Sequence, residues 1–189
     1  MWLVPTAATT LALSLINVMQ NGSPRDVAPR ITSRADVLAL RHKHEFVAAW
    51  RAGRPPKAFA GRRFDGDLLM LGVLAPVSQL ITHALFAPGR RWRGKLFFDS
   101  DAGVNCFGGG VLRRGFGARV ASSALDGRPA LVLDYAAPRV GDVVWGRGVG
   151  MRDEIREVAP GVLVGLGSMR ATGGVRNCAP FVLARAEDE

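Results

Sequence analysis

The pattern of apolar and polar positions changes character near residue 90. Before it, apolar residues fall in stretches of helical length. After it, short runs rich in β-branched residues alternate with glycine-rich breaks. The first stretch predicts a helix over about Thr6–Met19, stopped by the breaker cluster Asn21-Gly22-Ser23-Pro24. Ser33 is placed to cap a second helix, with Asp36 three residues on as a capping-box partner. Val37, Leu40, His44, Val47 and Ala48 follow near helical spacing, and Gly53, Pro55 and Pro56 end the element after Ala52. The segment Phe59–Gly66 reads as basic and turn-like. A third helix is predicted over about residues 67–86, with Pro76 as a kink or a first-turn residue.

Beyond residue 90 the predicted strands are Trp92–Asp99, Gly103–Leu112, Gly117–Leu125, Pro129–Tyr135, Val143–Gly148, Met151–Val158, Val162–Met169 and Pro180–Ala186. Asp126-Gly127 is a dipeptide favoured in type I′ hairpins, and Ala159-Pro160-Gly161 offers a second tight connection with glycine in the left-handed region. A meander of this length closes into a barrel or folds into a sandwich to manage its edges. The fold class predicted is α+β: a helical N-terminal region over 1–58, then an antiparallel β-barrel domain over 59–189 that includes the 67–86 helix.

Composition supports a packed domain, with 48% hydrophobic and 22% charged residues. The formal charge of +9 raises nucleic acid as a partner. The basic residues are scattered arginines, however, and no aromatic residues alternate with them as a stacking platform would need, which argues against that partner. Only Lys43, Lys57 and Lys95 are lysines. Residues 1–20 carry no charged side chain, but Pro5, Thr6, Thr9, Thr10, Ser14, Asn17 and Gln20 dilute them. The expectation is a cytoplasmic protein, with membrane association through 1–20 as the alternative. The low-charge stretch 68–88 reads as buried rather than spanning. Cys106 and Cys178 lack any metal or redox spacing and read as buried or half-buried thiols.

Candidate chemistry concentrates in Met151–Val158. Strand alternation puts Asp153, Ile155 and Glu157 on one face and Arg152, Glu154, Arg156 and Val158 on the other. A charged set facing a lumen must be paired or bound to something, whereas on the outer face it forms cross-strand ion pairs. On the preceding strand Leu131, Leu133 and Tyr135 share a face, and Val132 and Asp134 share the other. Two inward carboxylates, Asp134 and Asp153, would permit general acid–base chemistry. His42 and His44 flank a lysine on different sides of a helix, and His83 lies in an apolar stretch. No metal is expected. No nucleophile elbow, phosphate loop or dinucleotide fingerprint is present, so no cofactor is expected. Gly108-Gly109-Gly110 reads as a bulge or tight bend.

Gly61-Arg62-Arg63-Phe64-Asp65-Gly66 and Trp92-Arg93-Gly94-Lys95-Leu96-Phe97-Phe98-Asp99 resemble the GXWXG family and its paired domain of unknown function (DUF4334), with Phe64 in place of the tryptophan and an extra residue before it. Arg152–Val158 and Val162–Gly165 resemble the later hairpin of the paired domain. The resemblance spans about residues 61–169. It implies a calycin-like, lipocalin-like barrel but no reaction. Trp92 would close the barrel floor, Gly94 would permit close backbone approach, and Arg93 and Lys95 would pair with carboxylates of a neighbouring strand. The function expected is binding of a small lipophilic molecule in the barrel. Trp92, Phe98, Tyr135 and Trp145 are candidates for its cavity or mouth, and Lys95, Asn105, Asp134, Asp153 and Arg156 for its polar anchors. The alternative is a cofactor-independent isomerase, cyclase or lyase acting on a small hydrophobic metabolite, with Asp134 and Asp153 as its acid–base groups.

Overall fold

The structure is a computed structural model and describes residues 21–23, 25–72, 75, 76, 80, 89–136, 148, 150–170 and 174–186. Eight antiparallel strands form a closed barrel in chain order: β1 Arg63–Leu68, β2 Trp92–Phe97, β3 Ala102–Phe107, β4 Val111–Ser122, β5 Pro129–Asp134, β6 Met151–Ala159, β7 Val162–Met169 and β8 Ala179–Arg185. The ring shuts where β1 pairs with β8, from Phe64 opposite Arg185 to Leu68 opposite Phe181. The predicted meander therefore closes as a barrel, not as a sandwich. The segment read as turn-like supplies its first strand. Arg63-Phe64-Asp65-Gly66-Asp67-Leu68 lacks the β-branched run that marks a strand from sequence, and two neighbouring strands hold it in the ladder. The predicted 67–86 helix loses its first two residues to β1, and most of the rest lies outside the described residues, as do the 6–19 helix and most of the 143–148 strand.

The third and fourth strands also differ from expectation. Val111–Ser122 is one continuous strand, and Gly108–Gly110 form a 3-10 turn at its start. The predicted Gly103–Leu112 strand is thus divided between β3, this turn and β4. Asp126-Gly127 lies in a longer loop than a two-residue hairpin. The Ser123 N–H donates to the Arg128 carbonyl at 2.9 Å and Gly127 N–H to the Ser123 carbonyl at 3.0 Å, and only Gly127 has positive φ. Pro160-Gly161 does make the tight turn, with Ala159 opposite Val162 and Gly161 at φ 74°.

The predicted helix after Ser33 is divided in two. Ser33 and Asp36 form a capping box at the start of α1, Arg34–Leu38. A second helix, α2, restarts at Lys43 and runs to Ala52. The Glu45 carboxylate accepts from the His42 and Arg41 N–H groups at 2.9 and 3.1 Å, which satisfies donors that open a helix. His42 is a weak sequence signal for such a start, which is why the restart is not legible.

Strand alternation sorts the apolar residues into two cores. Inside the barrel are Phe59, Phe64, Trp92, Phe97, Phe107, Phe116, Leu131, Leu133, Tyr135, Ile155, Leu163, Phe181 and Leu183, among others. Outside it, Val37 of α1 and Phe46, Val47, Ala49 and Trp50 of α2 pack on Ala130, Val162, Val164, Leu166 and Val182. Small and large residues are matched inside. The missing side chains of Gly66, Gly103 and Gly165 leave the space filled by the rings of Trp92, Phe116 and Phe181.

Arg156 belongs to the outer layer, not to the lumen where it was expected as an anchor. It shares that face with Arg152 and Glu154 and is fully buried beneath α2. Its guanidinium makes two 2.7 Å bonds to the Asp126 carboxylate, donates to the Arg128 and Pro129 carbonyls, and stacks 3.9 Å from the Trp50 ring. Trp50 in turn donates its indole N–H to the Glu154 carbonyl at 3.1 Å. Arg156 thus ties the β4–β5 loop and α2 to β6.

A bulge in β2 sets what the lumen contains. Trp92 pairs with Phe107 and Gly94 with Cys106, so Arg93 is extra. Residues three apart on a regular strand face opposite ways, but across this bulge Trp92 and Lys95 both point inward. Gly94 sits at φ 134°, and a Cβ there would collide with the Phe64 carbonyl. Gly94→Ala is expected to lower stability by about 3 kcal/mol, from strain and overpacking together. A urea midpoint close to wild type would contradict this reading. Arg156→Ala is expected to cost about 3 kcal/mol, the low end for a broken buried pair because the Asp126 side chain is still 15% exposed. Arg156→Lys should restore little, since the two-pronged bond and the stacking need a planar guanidinium. Burial raises the Asp126 carboxyl, but the Arg156 hydrogen bonds, the Arg128 N–H and both arginine charges outweigh it, and its pKa ends below 3.8. A lowered carboxyl stabilises the fold above its unfolded pKa and loses that contribution as the pH falls through 3.8 and below. Acid titration of stability in wild type and Asp126→Asn checks this: the variant should lack that component.

Candidate functional site

The bulge delivers Lys95 into the barrel, where it meets residues from β3 and β6 and Tyr135, which directly follows β5. Its ammonium donates to the Asp153 carboxylate (Oδ2, 2.7 Å), the Tyr135 hydroxyl (2.7 Å) and the Asn105 side-chain carbonyl (2.8 Å). Tyr135, the single tyrosine of the chain, donates to the same Asp153 oxygen at 2.8 Å. Asn105 accepts from the Trp92 indole at 3.0 Å, and its amide donates to the Tyr135 oxygen at 3.1 Å and the Arg114 carbonyl at 2.9 Å. Arg114 is the extra residue of a second irregularity, between β3 and β4, and has positive φ.

Trp92, Lys95, Asn105, Tyr135 and Asp153, five of the residues singled out from the sequence, therefore form one connected cluster, each at most 5% exposed. Three others do not join it. Asp134 points to the opposite face from Tyr135 and accepts the Ala136 N–H at 2.8 Å, so the paired-carboxylate arrangement is absent. Phe98 follows the inward Phe97 and is 43% exposed, which removes it from the cavity. Arg156 lies under α2. Trp145 lies outside the described residues. The sequence reading missed Phe116 and Phe181, whose ring centroids lie 5.1 and 5.3 Å from the Lys95 nitrogen, alongside those of Trp92 and Tyr135. In a chain whose cations are almost all arginine, two of the three lysines, Lys43 and Lys95, are buried.

Burial is the largest influence on the Lys95 ammonium and lowers its pKa below 10.5, opposed by the Asp153 charge and hydrogen bond. Burial and the Asp153 charge push the Tyr135 hydroxyl well above 10.0, so it stays protonated and remains a donor to Asp153. The Lys95 ammonium has three N–H groups and three acceptors, a full complement. Asn105 is likewise engaged at both ends. One valence is left over: Asp153 Oδ1 is buried and accepts no hydrogen bond. Beside it is Gly167, an inward-facing glycine with no ring over it, at which a Cβ would lie 3.1 Å from that oxygen.

The cluster lies toward one end of the barrel. Connections 69–91, 135–150 and 170–178 leave from that end, while the short turns 98–101, 123–128 and 160–161 lie at the other. The short-turn end is plugged by aromatic rings: Phe59, Phe64 and Phe116 each contact Phe97 edge-on, at centroid distances of 5.1–5.9 Å. Two surface clefts of about 530 and 550 Å³ also lie at the short-turn end, around Glu157, and the cluster lines neither. Among the described residues no group of histidine, cysteine and carboxylate side chains could hold a metal ion, and no helix is long and apolar enough to cross a membrane. Both cysteines are free and buried.

The chain is thus a closed eight-stranded antiparallel barrel with a buried lysine–aspartate–tyrosine–asparagine cluster inside. No protein-family model matches it. No curated protein matches it. A solved structure described as "Crystal structure of protein from Thermomonospora curvata" is similar to it over 82% of this chain and 88% of that one, with 16% sequence identity and a TM-score of 0.48.

Removing one member of the buried pair leaves the other charge uncompensated. Lys95→Met is expected to lower stability by about 3–5 kcal/mol, whereas the double variant Lys95→Met/Asp153→Leu should recover most of that loss or exceed wild type. Denaturant unfolding of the three proteins checks this. A double variant less stable than Lys95→Met would mean that the pair itself holds the barrel together.

Proposed function

We propose that the protein binds a small, predominantly apolar molecule inside a lipocalin-like (calycin-like) α+β barrel, with the Lys95 cluster as its polar anchor. The same proposal places the chain beside the GXWXG-type barrels, on the strength of residues 61–66 and 92–99. The observation that carries the binding reading is the buried Asp153 oxygen without a hydrogen bond, which faces the lumen; Glu154 Oε2, buried in the same way, is on the outer face. A buried charged oxygen left unpaired costs more than an ordinary unmade hydrogen bond, and native proteins place few of them. A bound molecule that donates to it removes that cost. The surrounding chemistry agrees: an aromatic and aliphatic wall with a few convergent polar groups is how small-molecule sites are lined.

The ion pair itself supports this reading. A buried pair adds little stability compared with apolar residues of the same volume. The five connected polar side chains of this cluster are better accounted for by what they recognise than by what they stabilise.

Protein purified from its own host and examined by native mass spectrometry with organic extraction should carry one lipophilic compound per chain. Lys95→Met/Asp153→Leu, which is expected to fold, should bind that compound at least about tenfold more weakly, the loss of one charge-assisted hydrogen bond. A wild-type protein that is empty in every preparation, or a double variant that binds equally well, would sink the proposal.

A further inference from the structure

We infer that the molecule taken up in the lumen is neutral and presents a hydroxyl or amide N–H to Asp153, and that carboxylates of the fatty-acid type are rejected. The inference rests on the lumen-binding reading and deepens it. It follows from counting the hydrogen-bonding capacity of the cluster. Lys95 spends all three donors on Asp153, Tyr135 and Asn105. Trp92 spends its N–H on Asn105, and the Asn105 amide spends its two on Tyr135 and the Arg114 carbonyl. Tyr135 donates to Asp153. No donor in the cluster is left for an anionic head group, and the one open valence is an acceptor, Asp153 Oδ1.

Charge leads to the same place. The Lys95 and Asp153 charges cancel across a 2.7 Å contact. A carboxylate arriving at Oδ1 would meet a like charge, and among the described residues of the cluster the one cation, Lys95, is already fully engaged. An ammonium would have a carboxylate to face but would sit close to Lys95, whose charge already occupies the faces of Trp92, Phe116, Tyr135 and Phe181. A neutral donor satisfies the oxygen and adds no charge to a desolvated site. Gly167 leaves the room for it. A Cβ at that position would lie 3.1 Å from Oδ1 and 3.7 Å from the Ala179 carbonyl, so the absent side chain opens the wall of β7 beside the orphan oxygen.

The test is a matched set of probes on two scaffolds, decyl and naphthyl, each carrying a hydroxyl, a methyl ether, a carboxylate or a primary amine, titrated into the full-length protein by calorimetry near neutral pH. The alcohols are expected to bind about tenfold or more tightly than the corresponding ethers, with carboxylates and amines weaker than the alcohols. Gly167→Ala, a small change that leaves Lys95 and Asp153 paired, should erase the preference for alcohol over ether. Ethers that match the alcohols, carboxylates or amines that bind more tightly, or a Gly167→Ala protein that keeps the full preference would overturn the inference and leave lumen binding standing. If no probe on either scaffold binds, lumen binding fails and the inference fails with it.

Discussion

The pairing of β1 with both β2 and β8 is the constraint on which the molecule depends. A meander left open would expose two edges, and its concave face would remain accessible to water. Once Phe64–Leu68 bridges β8 and β2, the inward residues of every strand share one enclosed interior. The desolvation of Lys95, Asp153 and Tyr135 follows from that closure, as does the burial of the aromatic rings around them. β1 is among the shortest strands and carries charged residues at alternate positions, so its place in the ring is set by its partners rather than by its own propensity.

Within the ring, two kinds of irregularity set the position of the cluster. The Arg93–Gly94 bulge turns Lys95 to the same side as Trp92, and the irregularity at Arg114 presents a carbonyl to the Asn105 amide. A strictly alternating β2 would have sent either Trp92 or Lys95 outward. The glycines opposite the large rings do the complementary work, letting Trp92, Phe116 and Phe181 lie flat against the wall instead of across the lumen. The interior is therefore asymmetric, with an aromatic plug at the short-turn end and polar anchors toward the other.

Two buried ion pairs three positions apart on β6 show how opposite faces of one strand acquire different roles. Arg156 faces outward and is surrounded by carbonyls, a carboxylate and a ring, every contact of which ties an element to the barrel. Asp153 faces inward, and its contacts join side chains that could equally have been apolar. The first arrangement is explained by the fold alone. The second leaves one oxygen unsatisfied toward the lumen, whereas a second such oxygen, Glu154 Oε2, lies on the outer face; the binding proposal rests on the lumen-facing one.

Much of this architecture was legible in the sequence. Hydrophobic runs punctuated by glycine and proline located most of the strands beyond residue 90, because side chains on a pleated ladder impose a period of two and tight turns demand particular residues. The Ser33–Asp36 cap was legible for the same local reason. The alternation within 151–158 correctly separated Asp153 from Arg156 but left undecided which of the two faced inward, since period alone does not say which side of a sheet is the lumen. Only the tertiary structure decided that. It also recruited 63–68 as a strand through pairing on both sides, sent Asp134 and Phe98 outward, and used one bulge to bring Lys95 to Asp153, 58 positions along the chain. Those outcomes depend on register and closure, which are properties of the whole ring and have no local signature in the residues that obey them.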